Sequence, residues 1–177
     1  MTDSATEASL SEAPAEMQPR FMRPQRIAFV QSSWHYDVVA GCREAFWQGM
    51  AERGVADQQI DLFEVPGAFE IPLHVQLLAK TRRYTALVAA ALVVDGGGRG
   101  DELISGAVIQ ALMDVQLRTE VPVFSAVLTV PQVGAAAEDT ATLSRLFRDK
   151  GGEVAAACTA TLLSLERLRG QVAAGIV

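Results

Sequence analysis

The sequence predicts an α/β protein built as a three-layer α/β/α sandwich around a central, mostly parallel four-stranded sheet. Short runs that are apolar throughout alternate along the chain with longer segments of helical periodicity. Strands that are apolar on both faces are typical of parallel sheets covered by helices on each side. The chain has 177 residues, half of them hydrophobic, which suits one domain with a sizeable core.

The N-terminal segment differs from the rest of the chain. Residues 1–24, "MTDSATEASLSEAPAEMQPRFMRP", are rich in Ala, Ser, Glu and Pro. Because they carry few large apolar groups to offset the entropy of ordering them, we expect a disordered tail over this segment. A single folded domain is expected over residues 25–177.

The first half of this domain contains two pairs of a strand and a helix. "RIAFVQS" (26–32) predicts a buried strand, and apolar residues at three- and four-residue spacing predict a helix over 35–54, which Gly54 ends. "QIDLFEVPG" predicts the second strand. "AFEIPLHVQLLAKTRR" predicts the second helix, with Pro72 in its first turns, where a missing N–H does least harm.

The second half repeats this order. "TALVAAALVVDG" predicts a third strand, "ELISGAVIQALMDVQLRTE" a third helix and "VPVFSAVLTV" a fourth strand. After an Ala-rich segment, in which "GAAAED" is expected to be a loop, a closing helix is predicted over 142–169. Right-handed crossovers joining such strands produce a flavodoxin-like sandwich.

Composition excludes several classes of function. The net charge of −6 and the scattered basic residues argue against a nucleic-acid or membrane partner. Cys42 and Cys158 lie in helical patterns and are expected to be small core residues, and two cysteines are too few for a thiolate metal site. We expect no metal and no cofactor. The chain shows no spanning or signal segment, so a cytoplasmic protein is expected.

Ligands of such sheets bind beyond the carboxyl ends of the strands, which selects the segments "SSWHYD", "VPGAFE" and "VDGGGRGDE". Trp34 is either a packing anchor or a flat platform for a planar heterocycle. Glu70 is either a first-turn carboxylate favoured by the helix dipole or a functional group. His74 shares its helix face, so the pair is either a proton relay or a structural contact.

Three consecutive glycines, Gly96, Gly97 and Gly98, lie between the third strand and the third helix. They allow the backbone to approach a ligand closely, and the following helix N-terminus favours an anion. The spacing fits neither the dinucleotide fingerprint nor a Walker loop. A small anion is the ligand that this segment indicates.

Four strings resemble, in order and spacing, the lumazine synthases of riboflavin biosynthesis: "VPGAFEIPL", "ALVVDGG", "QLRTEVPVFSAVLT" and "DKGGEVAAA". The resemblance covers about residues 26–169, and "SSWHYD" resembles the branch that carries Trp as its stacking residue. It implies condensation of 5-amino-6-(D-ribitylamino)uracil with 3,4-dihydroxy-2-butanone 4-phosphate to 6,7-dimethyl-8-ribityllumazine. It also implies a homo-oligomer built of pentamers, with the site between subunits.

The resemblance assigns site residues by motif. It implies that substrate is bound by nine residues: Trp34, Ala68, Phe69, Glu70, Leu92, Val93, Val94, Ser125 and Lys150. Of these, Trp34 would stack on the pyrimidine, and Lys150 would come from a neighbouring subunit. Gly97 and Gly98 would bind phosphate. Arg145, Arg148 and Arg99 are the candidates to replace the arginine that the family uses for the same group.

The resemblance also shows where the chain departs from the family. Gly100 occupies the position of the usual catalytic histidine, between Arg99 and Asp101, and Thr142 that of a phosphate-binding arginine. Two interpretations follow. The protein is a lumazine synthase that works without this histidine, with Arg99 and Asp101 at the catalytic position, or it is an altered homologue that binds a flavin-like ligand or assembles as a structural oligomer.

Overall fold

The computed structural model describes residues 25–95, 99–131 and 137–176. Four strands form one sheet in the order β2-β1-β3-β4, and every pairing is parallel. The strands are β1 (Ile27–Ser32), β2 (Ile60–Val65), β3 (Ala86–Asp95) and β4 (Val123–Pro131). The predicted fold class is confirmed. Residues 1–24, predicted to be a tail, lie outside the described residues.

Helices cover both faces of the sheet. Helices α1 (Tyr36–Ala51) and α4 (Ala137–Ala173) pack on one face, and α2 (Ile71–Lys80) and α3 (Arg99–Thr119) pack on the other. Successive residues of β1 point to opposite faces, so both faces need apolar side chains, and all six residues of β1 are buried. No helix in the described ranges is long and apolar enough to cross a membrane.

The core between α1, α4 and the sheet is built around aromatic side chains. Phe29 of β1 packs against Phe46 and Trp47 of α1, with ring centroids 5.2 and 5.3 Å apart. Cys42 and Cys158 are buried as free thiols in the same core, as predicted. Burial raises the pKa of each thiol to about 12, so both stay protonated at neutral pH.

Glycines allow α1 and α4 to approach each other closely. A Cβ at Gly151 of α4 would overlap the carbonyl oxygen of Cys42 on α1, and a Cβ at Gly49 would lie 2.8 Å from the Cβ of Ala155. Gly152, one residue further along α4, has open space at the corresponding position. The contact between the two helices therefore depends on particular glycines.

Element boundaries differ from the sequence expectations at two helices. Helix α4 begins at Ala137, so the predicted "GAAAED" loop is wrong for its last three residues, and residues 134–136 lie outside the description. Alanine and glutamate favour helix, and acidic residues in a first turn are favoured by the dipole. The predicted second helix begins instead as a separate 3₁₀ turn, Ala68–Glu70.

A charged cluster joins β1 to β2 at the amino end of the sheet. The Arg26 guanidinium donates two hydrogen bonds to the Asp61 carboxylate, at 2.8 and 2.5 Å, and the Tyr84 hydroxyl donates a third at 2.8 Å. Burial alone would raise the pKa of Asp61, but the bonds from Tyr84 and Arg26 outweigh it and hold that pKa below its ordinary value. The cluster stabilises the ionised carboxylate.

Candidate active site

A cavity of about 470 Å³ lies at the carboxyl end of the sheet. It is formed where the chain leaves β1 and β2, along the last residues of β3, and beside α3. Nine of the described residues line it: Trp34, His35, Ala68, Phe69, Glu70, Leu92, Val93, Val94 and Ile104. Its size suits a small-molecule ligand, and its lining is mainly apolar.

Trp34 is positioned by backbone bonds between the segments that follow β1 and β2. The N–H of Ser33 donates to the carbonyl of Val65 at 2.7 Å, and the N–H of Trp34 donates to the carbonyl of Pro66 at 3.1 Å. The Trp34 side chain is 65% exposed although it lies at the cavity. A ring this exposed is not a core anchor in this chain, and the geometry favours the platform interpretation.

Gly67 makes room for this ring. A Cβ at Gly67 would lie 2.7 and 2.8 Å from Cζ3 and Cε3 of Trp34, closer than atoms approach without displacement. The backbone of Gly67 is extended, with φ −142° and ψ −176°, so the conformation itself does not require glycine. Glycine is required here because the indole of Trp34 approaches the backbone so closely.

Glu70 closes the turn that carries Phe69. Its Oε2 accepts a hydrogen bond from the N–H of Gly67 at 2.9 Å, which caps the 3₁₀ turn before α2. The Nδ1 of His74 lies 3.1 Å from the backbone carbonyl oxygen of Glu70, and not against the carboxylate. The pair thus has a structural contact rather than a relay, and His74 is exposed.

Sequence reasoning did not assign His35 and Ile104 to the site. His35 has a left-handed backbone, with φ 57°, and its carbonyl accepts the N–H groups of Val38 and Val39 at the start of α1. This turn places His35 at the cavity beside Trp34. Histidine is enriched at such positions, and its place in "SSWHYD" after a strand was the signal available.

Seven of the nine predicted substrate-binding residues meet at this cavity. The other two, Ser125 and Lys150, do not line the cavity of their own chain. Ser125 lies in β4, paired with Ala89, and its Oγ accepts the N–H of Val127 at 3.2 Å. The Nζ of Lys150 in α4 lies 3.0 Å from Oε2 of Glu153. Neither these two nor the exposed Arg145 lines the cavity.

The remaining predicted positions are described only in part. Gly97 and Gly98 lie outside the described residues. The first residues of α3 are Arg99, Gly100 and Asp101, whose side chains are not described. Among the side chains that are described, no group of three or more His, Cys, Asp or Glu is placed to hold a metal ion.

A family model described as 6,7-dimethyl-8-ribityllumazine synthase matches residues 24–166. The chain belongs to this family. It is 60% identical to 6,7-dimethyl-8-ribityllumazine synthase 2 of Rhodopseudomonas palustris, over 100% of this chain and 98% of that protein. It is also 60% identical to the protein of the same name from Bradyrhizobium diazoefficiens, over 93% of this chain and 99% of that protein. The 6,7-dimethyl-8-ribityllumazine synthase of Rhodococcus erythropolis is 51% identical, over 81% of this chain and 93% of that protein.

The described lining of the cavity in one chain contains aromatic and acidic side chains but no basic ones. It offers the Trp34 and Phe69 rings, which are 65% and 70% exposed, and the half-buried Glu70. Its described lining contains no lysine or arginine. Within one chain, the described lining therefore offers two exposed aromatic rings and one carboxylate, and no basic side chain.

Proposed function

We propose that this protein catalyses the condensation of 5-amino-6-(D-ribitylamino)uracil with 3,4-dihydroxy-2-butanone 4-phosphate to 6,7-dimethyl-8-ribityllumazine, in riboflavin biosynthesis. The observation that carries the proposal is the cavity at the carboxyl end of the sheet. This cavity is lined by the exposed indole of Trp34 and by the last residues of β3. The chain is also 60% identical to a relative named for this reaction.

The uracil ring is assigned to the Trp34 platform. Stacking on an exposed indole suits a flat, polar heterocycle, since the ring contributes contact area while the edges stay free to hydrogen-bond. Leu92, Val93 and Val94 would meet those edges with backbone groups at the end of β3. Ala68, Phe69 and Glu70 would line the ring and the ribityl chain.

The phosphate of the second substrate is assigned to the segment between β3 and α3. Gly97 and Gly98 would present N–H groups there, beside the N-terminus of α3, which favours an anion. Lys150 of a neighbouring subunit would supply the missing positive charge, with Ser125 and Arg145 as further contacts across the same boundary. We assign no metal or cofactor to the reaction.

Catalysis would rest first on proximity. The amine and the ketone are intrinsically reactive, so holding them in register lowers the barrier without a covalent intermediate on the protein. Proton transfers remain to be supplied, and Gly100 has no side chain for them. His35 lines the cavity, and an imidazole suits acid and base work near neutral pH. Arg99 and Asp101 are the other candidates, at the start of α3.

An oligomer is supported by apolar side chains that one chain leaves exposed on its α2 and α3 layer. Leu73 and Leu77 lie one turn apart on α2, and Ile109, Met113 and Leu117 lie one turn apart on α3. Their exposed fractions run from 41% to 71%. Such stripes are typical of protein interfaces, and we propose a homo-oligomer built of pentamers, in the cytoplasm.

Mixed oligomers test whether the site is shared between subunits. Trp34→Ala and Lys150→Gln chains should each be nearly inactive alone, because each lacks one half of every site. Co-assembled in equal amounts, they should regain about a quarter of wild-type activity if Trp34 and Lys150 come from different subunits. Recovery of no activity in a verified mixed oligomer would contradict the shared site.

Growth tests the activity itself. A bacterial strain that lacks its own lumazine synthase should grow without added riboflavin when it expresses this chain, and should fail to grow with the Trp34→Ala variant. Failure of the wild-type chain, expressed and folded, would contradict the proposal. The glycine at position 100 favours one alternative, a homologue that binds the uracil without turnover, and calorimetry with ribitylaminouracil would detect it.

A further inference from the structure

A second cavity, of about 690 Å³, lies at the amino end of the sheet. It is formed where α2 and α3 end and where the chain turns into β3 and β4. Four basic side chains from three segments, the ends of α2 and α3 and the later part of α4, line it: Lys80, Arg82, Arg118 and Arg169. Glu120 is the acidic residue of the described lining, so positive charge predominates in a chain whose net charge is −6.

These four basic side chains are not engaged by described parts of the protein. None of them donates a hydrogen bond to, or pairs with, another described side chain or carbonyl group. Elsewhere in the described chain, Arg26 pairs with Asp61, and Arg53 donates to the carbonyl of Gly49 at 2.7 Å. The cavity therefore gathers exposed N–H donors, five on each arginine and three on the lysine, that are not bonded to described acceptors.

Basic residues near helix C-termini commonly complement the dipole, and this would be the simplest role for Lys80 and Arg118. A threonine hydroxyl already meets one carbonyl in the last turns of each helix. The hydroxyl of Thr81 donates to the carbonyl of Leu78 at 2.6 Å, and the hydroxyl of Thr119 donates to that of Val115 at 2.7 Å. The basic side chains remain available for a ligand.

Two charged residues of the cavity lining have an uncommon backbone conformation. Arg82 and Glu120 each follow a helix end in the left-handed region, with φ 58° and 57°. Glycine is the usual residue at such positions because it carries no steric cost there. Arg82 is thus placed at the cavity in spite of that cost, and Glu120, placed there in the same way, offsets part of the positive charge.

We propose that this cavity binds a small polyvalent anion of the phosphate class, such as a diphosphate or triphosphate group. Tyr84, the aromatic residue of the described lining, is buried and its hydroxyl is bonded to Asp61, so this lining offers no exposed ring to a base. Recognition rests on charge. The site goes beyond the proposed function, because the strand between Thr85 and Leu92, about 23 Å long at ~3.3 Å per residue, separates its lining from that of the Trp34 cavity.

Isothermal titration calorimetry of the full-length oligomer with pyrophosphate and with tripolyphosphate, in phosphate-free buffer, tests the proposal. Binding is expected with both, severalfold weaker at 300 mM than at 50 mM salt, because screening weakens contacts between exposed charges. ADP should bind about as tightly as pyrophosphate, since the described lining offers no exposed aromatic ring on which the base could stack.

Variants locate the site. The double variant Arg82→Gln and Arg118→Gln should weaken pyrophosphate binding at least tenfold. Arg169→Gln should weaken it, whereas Arg167→Gln, the same change on the exposed part of α4 outside the cavity, should not. Lys150→Gln, which alters the proposed substrate phosphate site, should also leave this binding intact. Circular dichroism and thermal unfolding check that each variant is folded.

Three results would overturn the proposal. The wild-type protein could show no heat of binding with either anion at millimolar concentration. Folded double variant could bind pyrophosphate as tightly as wild type. Or the cavity variants could change the subunit number by light scattering without changing anion binding, which would make the cavity a subunit contact.

Discussion

Replacing Gly67 with alanine should move the Trp34 ring without disturbing the fold. The new Cβ would lie 2.7 and 2.8 Å from two indole carbons and 3.2 Å from Oε2 of Glu70. Carbon atoms in contact are normally about 3.5–4.0 Å apart, so the edge of the ring must retreat by about 1 Å. The indole is 65% exposed and has space to move, and the extended backbone accepts alanine.

The expected loss is in ligand binding. Stacking of a base on an aromatic ring contributes about 1–3 kcal/mol by alanine substitution. A ring displaced by about 1 Å loses part of this, which we put at about 1 kcal/mol, or about a fivefold increase in the Kd for ribitylaminouracil. Thermal stability should change little, since no buried group is removed and no left-handed backbone is involved.

Calorimetry with ribitylaminouracil on four proteins separates the ring displacement from other effects: wild type, Gly67→Ala, Trp34→Ala and the double variant. If Gly67 acts only through the indole, Gly67→Ala should cost binding in the wild type and nothing further once Trp34 is alanine. Equal binding by wild type and Gly67→Ala, or an equal cost in both backgrounds, would refute the reasoning.

Four further substitutions test other parts of the account. Gly151→Ala should destabilise the fold by about 1–3 kcal/mol in urea unfolding, because its Cβ overlaps the Cys42 carbonyl, whereas Gly152→Ala should stabilise it by about 0.5–1 kcal/mol. Asp61→Asn should lower the free energy of unfolding at pH 7. Because the pKa of Asp61 is lower in the folded than in the unfolded protein, its carboxylate stabilises the fold above the unfolded pKa of about 3.9, and this contribution is lost as the pH falls below about 4. The variant should therefore lack this acid-sensitive contribution to stability. A variant whose urea midpoint falls with acid as steeply as wild type would contradict this. His35→Asn keeps a residue that tolerates the left-handed turn; if His35 transfers protons, kcat should fall about 10²-fold with a changed pH profile and unchanged uracil binding.

Local patterns predicted much of this structure because they depend on near neighbours. The apolar runs around Phe29 and Val88 are buried on both faces of the sheet, as parallel strands covered by helices require. The carboxyl ends of parallel strands meet at one edge, so Trp34 and Glu70 could be expected near the end of β3 without a structure.

Other features arise from contacts that a linear pattern does not contain. The need for glycine at position 67 depends on where the Trp34 ring lies, and its backbone dihedrals alone would not reveal it. The place of His35 at the cavity depends on a left-handed turn in which its carbonyl accepts N–H groups from the start of α1. The basic cavity joins Lys80 and Arg169, which are far apart in sequence.

The most direct test of the account is a steady-state assay with the purified oligomer and both substrates. Lumazine formation, followed by absorbance, and phosphate release should rise together in equal amounts and in proportion to enzyme, and the Trp34→Ala protein should lose most of this rate. No product above the uncatalysed reaction, from folded protein that binds ribitylaminouracil, would contradict the proposed activity and leave a binding protein in its place.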